Sequence, residues 1–222
     1  MKKAKRLGSS LLFSLCLIGC QNPLTKAARK VEYSAYEMIG IQKRDLLKTR
    51  VDDARDDQKE AGQKFQDALT QLKSVYGFQG GDLEKKYDSL KMAYDRAFHQ
   101  ADQVHKSIRK VENVAQDLFS EWEKEIDQIE TASLKQHSRD SLSQTKSKFA
   151  TLQQNLKSAE KQMDPVLRKL NDHVLYLKHN LNAKAIASLK GETLRIQGDI
   201  EGLIKEMNKS IASADQFIRE MP

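Results

Sequence analysis

The chain has 222 residues, 31% of them charged, and its formal net charge at pH 7 is +7. It contains only 3 Pro and 10 Gly, a composition that favours long helices over a disordered or an all-β chain. The 2 Cys lie at positions 16 and 20, so a scaffold held together by disulfides is excluded.

Residues 1–19 resemble a bacterial signal peptide of the lipoprotein type. Their apolar run, 11–18, is too short to span a bilayer permanently. The motif Leu17-Ile18-Gly19-Cys20 then matches a lipobox, in which the Cys thiol is acylated and the chain is cut just before it. We therefore predict lipid attachment at Cys20. The alternative is an ordinary signal peptide followed by an incidental cysteine.

Cleavage at this site would change both the charge and the location of the protein. The signal peptide carries four basic residues and no acidic one, so its removal lowers the net charge from +7 to +3. Nucleic-acid binding thereby loses its main support, and no nucleic-acid partner is predicted. Acyl chains on Cys20 would anchor the protein to a membrane. Because Gln21 replaces the Asp that commonly retains lipoproteins in the inner membrane, we predict the outer membrane of a Gram-negative host, facing the periplasm.

Apolar spacing in the rest of the chain predicts an all-α fold. A repeat of about 3.5 residues, typical of a coiled-coil seam, continues without interruption over 83–122. Its members are Leu83, Tyr87, Leu90, Tyr94, Ala97, Ala101, Val104, Ile108, Val111, Ala115, Leu118 and Trp122.

Four helices are predicted, at about 25–76, 82–130, 136–180 and 183–219. Residues 20–24 would form the lipidated Cys and a short tether. Residues 25–222 would form a single elongated antiparallel bundle with coiled-coil-like heptad packing. The first helix changes phase near Gly40, which predicts a kink. Pro165 either starts a new helix or lies inside a kinked third helix, and the continuous apolar repeat favours the second interpretation.

The connections between the helices also carry predictions. Gly77, Gly80 and Gly81 are expected to supply the positive φ of a tight turn, and Asp82 to cap the helix that follows. No Lys-Ser/Thr follows the Gly pair, which argues against a phosphate-binding loop. An acidic stretch at 112–130 and a basic stretch at 135–161 predict that the second and third helices pair as an antiparallel hairpin.

A search for catalytic and ligand motifs gives almost nothing. No two of the 5 His are three or four residues apart, as metal ligands on one helical face would be. No metal, cofactor or catalytic residue is predicted, and the protein is expected not to be an enzyme. Tyr87, Tyr94 and Trp122 lie on the apolar repeat, so core packing is favoured over a ligand site.

Residues 174–189 are mostly apolar but are interrupted by polar side chains, and this interruption has two interpretations. The first is an ordinary turn between helices. The second is a tip that binds a partner through Lys178, His179, Asn180 and Asn182.

Six short segments of the chain are similar to those of a known protein family. They are GIQKRD (40–45), VDDARD (51–56), GGDLE (80–84), LFSEWE (118–123), MDPVL (163–167) and LKHNLN (177–182). Together they resemble an uncharacterised proteobacterial lipoprotein family, domain of unknown function 2959. The resemblance implies a Gram-negative envelope protein and no known catalytic residues.

Two functions remain as hypotheses. The first is a structural or adaptor lipoprotein, anchored in the outer membrane, whose partner in the periplasm is a protein complex or peptidoglycan. The second is a carrier of an apolar ligand or lipid between the bundle helices. Whether the chain forms a homo-oligomer is left open.

Overall fold

A computed structural model of the chain describes residues 23–38, 42–77, 82–182, 184, 186 and 190–221. Five helices lie in these ranges: α1 Pro23–Met38, α2 Lys43–Tyr76, α3 Leu83–Gln128, α4 Ala132–His179 and α5 Lys190–Glu220. No strand occurs within them, so the predicted all-α helical-bundle class is confirmed. The predicted signal peptide and Cys20 lie outside the described residues.

The chain divides into two units, Met1–Ile41 with α1 and Gln42–Pro222 with α2 to α5. The segment predicted as one kinked helix, about 25–76, therefore contains two helices, α1 and α2, which belong to separate units. Gly40, where the kink was expected, lies outside the described residues. In α1, apolar residues three or four positions apart, Ala28, Val31 and Ala35, predict a buried stripe. Val31 is 73% exposed whereas Tyr33 is buried, so this prediction is wrong at Val31.

The second unit is an antiparallel four-helix bundle in which each helix contacts the next and α5 returns to α2. Lys43 Nζ, at the start of α2, lies 3.0 Å from Glu121 Oε1 near the end of α3. Arg55 of α2 similarly bonds Asp215 near the end of α5, at 3.1 Å. The helices therefore alternate in direction, as an up-down-up-down bundle requires.

The apolar repeats of α2 and α4 lie in the core of this unit. Steps of three and four residues predict a stripe from Val51 to Val75 in α2 and from Leu142 to Leu170 in α4, and every position of both stripes is buried. α4 is one continuous helix through Pro165, with the stripe in phase on both sides of it. Gln58 is fully buried, and neither its amide nitrogen nor its amide oxygen has a hydrogen-bond partner in the described structure.

The repeat predicted for α3 is buried at most of its positions, but Leu83 and Tyr94 are only half-buried and the end of the repeat also departs from the structure. After Ala115 the buried positions are Phe119 and Ile126, whereas Leu118 and Trp122 are only half-buried. Phe119 packs against Phe149 of α4, with ring centroids 5.5 Å apart, whereas Leu118 and Trp122 line a cleft beside the start of α2.

The predicted pairing of opposite charges in the α3–α4 hairpin is confirmed. Lys146 Nζ bonds Glu123, and Lys157 Nζ lies 3.3 Å from Glu112 Oε2. Each exposed pair contributes little stability. Together, their opposite signs favour this pairing over other pairings of the helices.

The connection before α3 confirms one prediction and corrects another. Asp82 Oδ1 accepts a hydrogen bond from the Lys85 backbone N–H at 3.0 Å, so Asp82 is the expected N-cap. Gly77 has φ −85°, and the prediction of a positive φ there is wrong. A Cβ at Gly77 would lie 3.2 Å from the Lys73 carbonyl oxygen, so close backbone approach explains this glycine. Gly80 and Gly81 lie outside the described residues.

Candidate functional site

A surface cleft of about 410 Å³ lies between the C-terminal part of α4 and the N-terminal part of α5. The antiparallel arrangement brings these two helix segments together with the end of α2. The cleft is lined by Lys169, Asp172, His173, Tyr176, Glu192, Arg195 and Ile196. Its volume lies within the range of small-ligand sites.

A buried histidine lies in the wall of this cleft. His173 is 8% exposed, and its Nδ1 lies 2.6 Å from the Tyr76 hydroxyl oxygen at the end of α2. The two rings meet edge to face, with centroids 5.7 Å apart and an interplanar angle of 78°. The hydrogen bond and the ring contact thus fix the orientation of the imidazole, because both act on the same side chain.

Burial sets the protonation state of this pair. It lowers the pKa of His173 although the carboxylates of Glu192 and Asp172 act in the opposite direction. Burial also raises the pKa of the Tyr76 hydroxyl. Both groups are therefore neutral at pH 7. When the Tyr76 O–H donates to Nδ1, the neutral imidazole carries its proton on Nε2 and keeps one N–H donor there.

Each wall of the cleft carries one cation and one anion. Lys169 and Asp172 lie on α4, and Arg195 and Glu192 lie on α5. Lys169 pairs with Asp199, and Arg195 Nη1 lies 2.9 Å from Glu192 Oε1. The four lining charges sum to zero, so the cleft has no bias towards a purely anionic or a purely cationic ligand.

The predicted tip residues lie immediately beyond the cleft, where α4 ends. Lys178 and His179 are exposed in its last turn, and Asn180 is the C-cap. Asn180 Nδ2 donates to the Tyr176 carbonyl oxygen at 2.9 Å, which connects the tip to a residue of the cleft. The Asn182 backbone N–H donates to the Asn180 carbonyl oxygen at 2.9 Å, which continues the tip as a turn. The structure therefore brings all four residues to one end of the bundle.

A second cleft, of about 390 Å³, lies towards the other end of the unit. It contains Trp122, predicted as core but found half-buried, whose Nε1–H donates to Ser138 Oγ at 2.9 Å. Its other lining residues include Lys43, Glu121 and Glu125. Tyr87, from the same predicted core set, is buried, whereas Tyr94 is half-buried.

The described part of the chain lacks a metal cluster and a membrane-spanning helix. No group of three or more His, Cys, Asp or Glu side chains there is placed to hold a metal ion. No helix of that part is both long and apolar enough to cross a bilayer. Cys20, the predicted lipid-attachment residue, lies outside it.

Comparison with known proteins places the bundle in a family. A family model described as "Protein of unknown function (DUF2959)" matches residues 32–221. The chain belongs to this family. The match includes all of α2 to α5, and therefore both clefts of the DUF2959 bundle. No curated protein matches the chain.

Sequence reasoning missed the cleft of this DUF2959 protein because its key pair is distant in sequence. Tyr76 and His173 are 97 residues apart. One sequence signal was present, since His173 follows Leu170 at the next position of the α4 apolar repeat. A histidine on a buried stripe needs a polar partner, and that requirement could have marked the residue.

Proposed function

We propose that this protein is a non-enzymatic envelope lipoprotein that acts as a structural or adaptor module. Acyl chains on Cys20 would hold it in the outer membrane, facing the periplasm. The helical bundle would then engage a protein complex or the cell wall. The lipobox motif at Leu17-Ile18-Gly19-Cys20 supports the anchor.

The observation that carries the adaptor role is the length and closure of the bundle. α3 has 46 residues, which corresponds to about 69 Å at ~1.5 Å per residue. Its inward positions, such as Ala97, Val104 and Ile108, are fully buried. A long, closely packed bundle holds its two ends at a fixed separation, which suits a spacer or adaptor.

The alternative, a carrier of an apolar ligand, has less support. A carrier needs space between the helices, and small seam residues could leave it. Ala97 and Ala101 of α3 and Ala159 of α4 are instead buried within the packed seam. Small residues there bring the helices closer together, which favours a closed bundle.

The adaptor role is tested by site-specific photo-crosslinking in the native host. A crosslinking amino acid replaces Lys178 at the end of the bundle or, as the matched control, Gln154 on the exposed side of the middle of α4. We expect a discrete high-mass adduct from position 178 and little from position 154. Absence of any adduct at both positions, with the protein present at normal level, would contradict an adaptor role.

A further inference from the structure

The cleft between α4 and α5 combines features that select one class of ligand. Both walls present a cation beside an anion: Lys169 and Asp172 on one, Arg195 and Glu192 on the other. A phosphate or another purely anionic group would meet the two carboxylates, and a simple cation would meet the two basic side chains. A ligand that carries both charges avoids this repulsion, since each of its groups has an opposite charge on either wall.

The existing ion pairs do not block such a ligand. The Arg195 side chain is 77% exposed and its partner Glu192 is also exposed, so their pair contributes little free energy. Lys169 is similarly exposed in its pair with Asp199. Ligand charges can therefore replace these partners at small cost.

His173 supplies the directional contact. Its Nδ1 is occupied by Tyr76, and no other hydrogen bond to the ring is present among the described residues. The neutral imidazole has one further N–H to offer, at Nε2, and the ring lines the cleft. A carboxylate or carbonyl oxygen is the natural acceptor for this N–H.

We propose that this cleft binds a short zwitterionic peptide, with a free amino group and a free carboxylate. The assignment rests on the proposed function for its source: in the envelope, the stem peptides of peptidoglycan present this chemistry in high density. Ile196 provides an apolar contact for a small side chain. The exposed tip residues, Lys178 and His179 among them, lie where the rest of the polymer would continue.

The first test measures peptide binding to the full-length protein purified in detergent. Trialanine is compared with N-acetyl-trialanine and trialanine amide, each of which lacks one of the two charges. Binding is followed by calorimetry and by the ¹H–¹⁵N resonances of the His173 ring. We expect trialanine to bind and to shift the Nε2 resonance, and each analogue to bind at least about tenfold more weakly, a difference of ~1.4 kcal/mol. Equal binding of all three peptides, or no binding, would overturn the proposal.

Variants separate recognition from folding. Arg195→Gln changes an exposed side chain and should weaken trialanine binding about tenfold without a change in unfolding midpoint. His173→Asn retains a hydrogen-bonding group for Tyr76 but removes the Nε2 donor, and should weaken trialanine binding in calorimetry. Arg168→Gln, exposed on α4 and outside the cleft lining, is the control and should bind like the wild type. Wild-type affinity in Arg195→Gln would contradict the charge argument.

Co-sedimentation with isolated peptidoglycan distinguishes peptide binding in the cleft from the proposed adaptor function. Wall binding that Arg195→Gln reduces supports the stem peptide as the source. Wall binding that Arg195→Gln leaves unchanged, together with failure of trialanine to bind, overturns the cleft assignment and leaves the adaptor function standing. Trialanine binding without wall binding supports the site but rejects the wall as its source, in favour of a free peptide or protein terminus.

Discussion

Replacement of Phe149 by Ala should strongly destabilise the bundle. Phe149 of α4 is 7% exposed and meets two rings edge to face: Phe119 of α3 at 5.5 Å and Phe217 of α5 at 5.9 Å between centroids. Truncation of a buried Phe costs about 3–5 kcal/mol, and each aromatic pair accounts for ~0.5–1.5 kcal/mol. Because this ring connects three helices, we expect a loss of about 4 kcal/mol in the free energy of unfolding.

The assay is urea unfolding followed by far-UV circular dichroism, with the loss calculated from midpoint and slope. Phe98→Ala is the matched control. Phe98 is 50% exposed on α3, and its truncation should cost less than about 1 kcal/mol. A double-mutant cycle between Phe149→Leu and Phe217→Leu should give a coupling of about 0.5–1.5 kcal/mol. Similar losses for Phe149→Ala and Phe98→Ala would refute this account of the core.

Three further predictions concern single positions. Gly62→Ala should stabilise the protein by about 1 kcal/mol in urea unfolding, because Gly62 lies within α2 and a Cβ there would meet only Met207 Sδ, at 3.8 Å. A destabilised variant would show that this site has no room for a methyl group. Gln58→Leu should raise the unfolding free energy by about 1–3 kcal/mol, since it removes a buried amide that lacks partners in the described structure. A lower unfolding midpoint would mean that the amide is paired in solution. Because burial lowers the pKa of His173, its contribution to stability is complete above the unfolded value of 6.5 and is lost as the pH falls below it. His173→Asn should therefore lose less unfolding free energy than the wild type between about pH 7.5 and about pH 5.5. An identical decline in the two proteins would contradict a lowered pKa of His173.

The stripes of α2 and α4 could be predicted because each helix keeps one face on the core. Val51, Phe65 and Leu72 in α2 therefore follow the heptad spacing read from the sequence. The burial of Phe119 instead of Leu118 in α3 could not be predicted, because it depends on the packing of Phe119 against Phe149 of α4. Spacing within one helix contains no information on which side chains a neighbouring helix presents.

The candidate cleft illustrates the same limit. The polar tip at Lys178 and His179 interrupts an apolar segment, so it was visible in the sequence. The cleft was not, since it requires α2, α4 and α5 to meet and the Tyr76 hydroxyl to reach His173. Local patterns predict which residues are buried, but convergence of side chains from three helices depends on tertiary packing.

Incorporation of labelled palmitate tests the central claim, the lipid anchor, most directly. Wild type and Cys20→Ser are expressed in the native host, and the two membranes are separated on a density gradient. We expect label on the wild type in the outer-membrane fraction and no label on Cys20→Ser. An unlabelled wild-type protein recovered outside the membrane fractions would contradict the anchor, whatever the bundle binds.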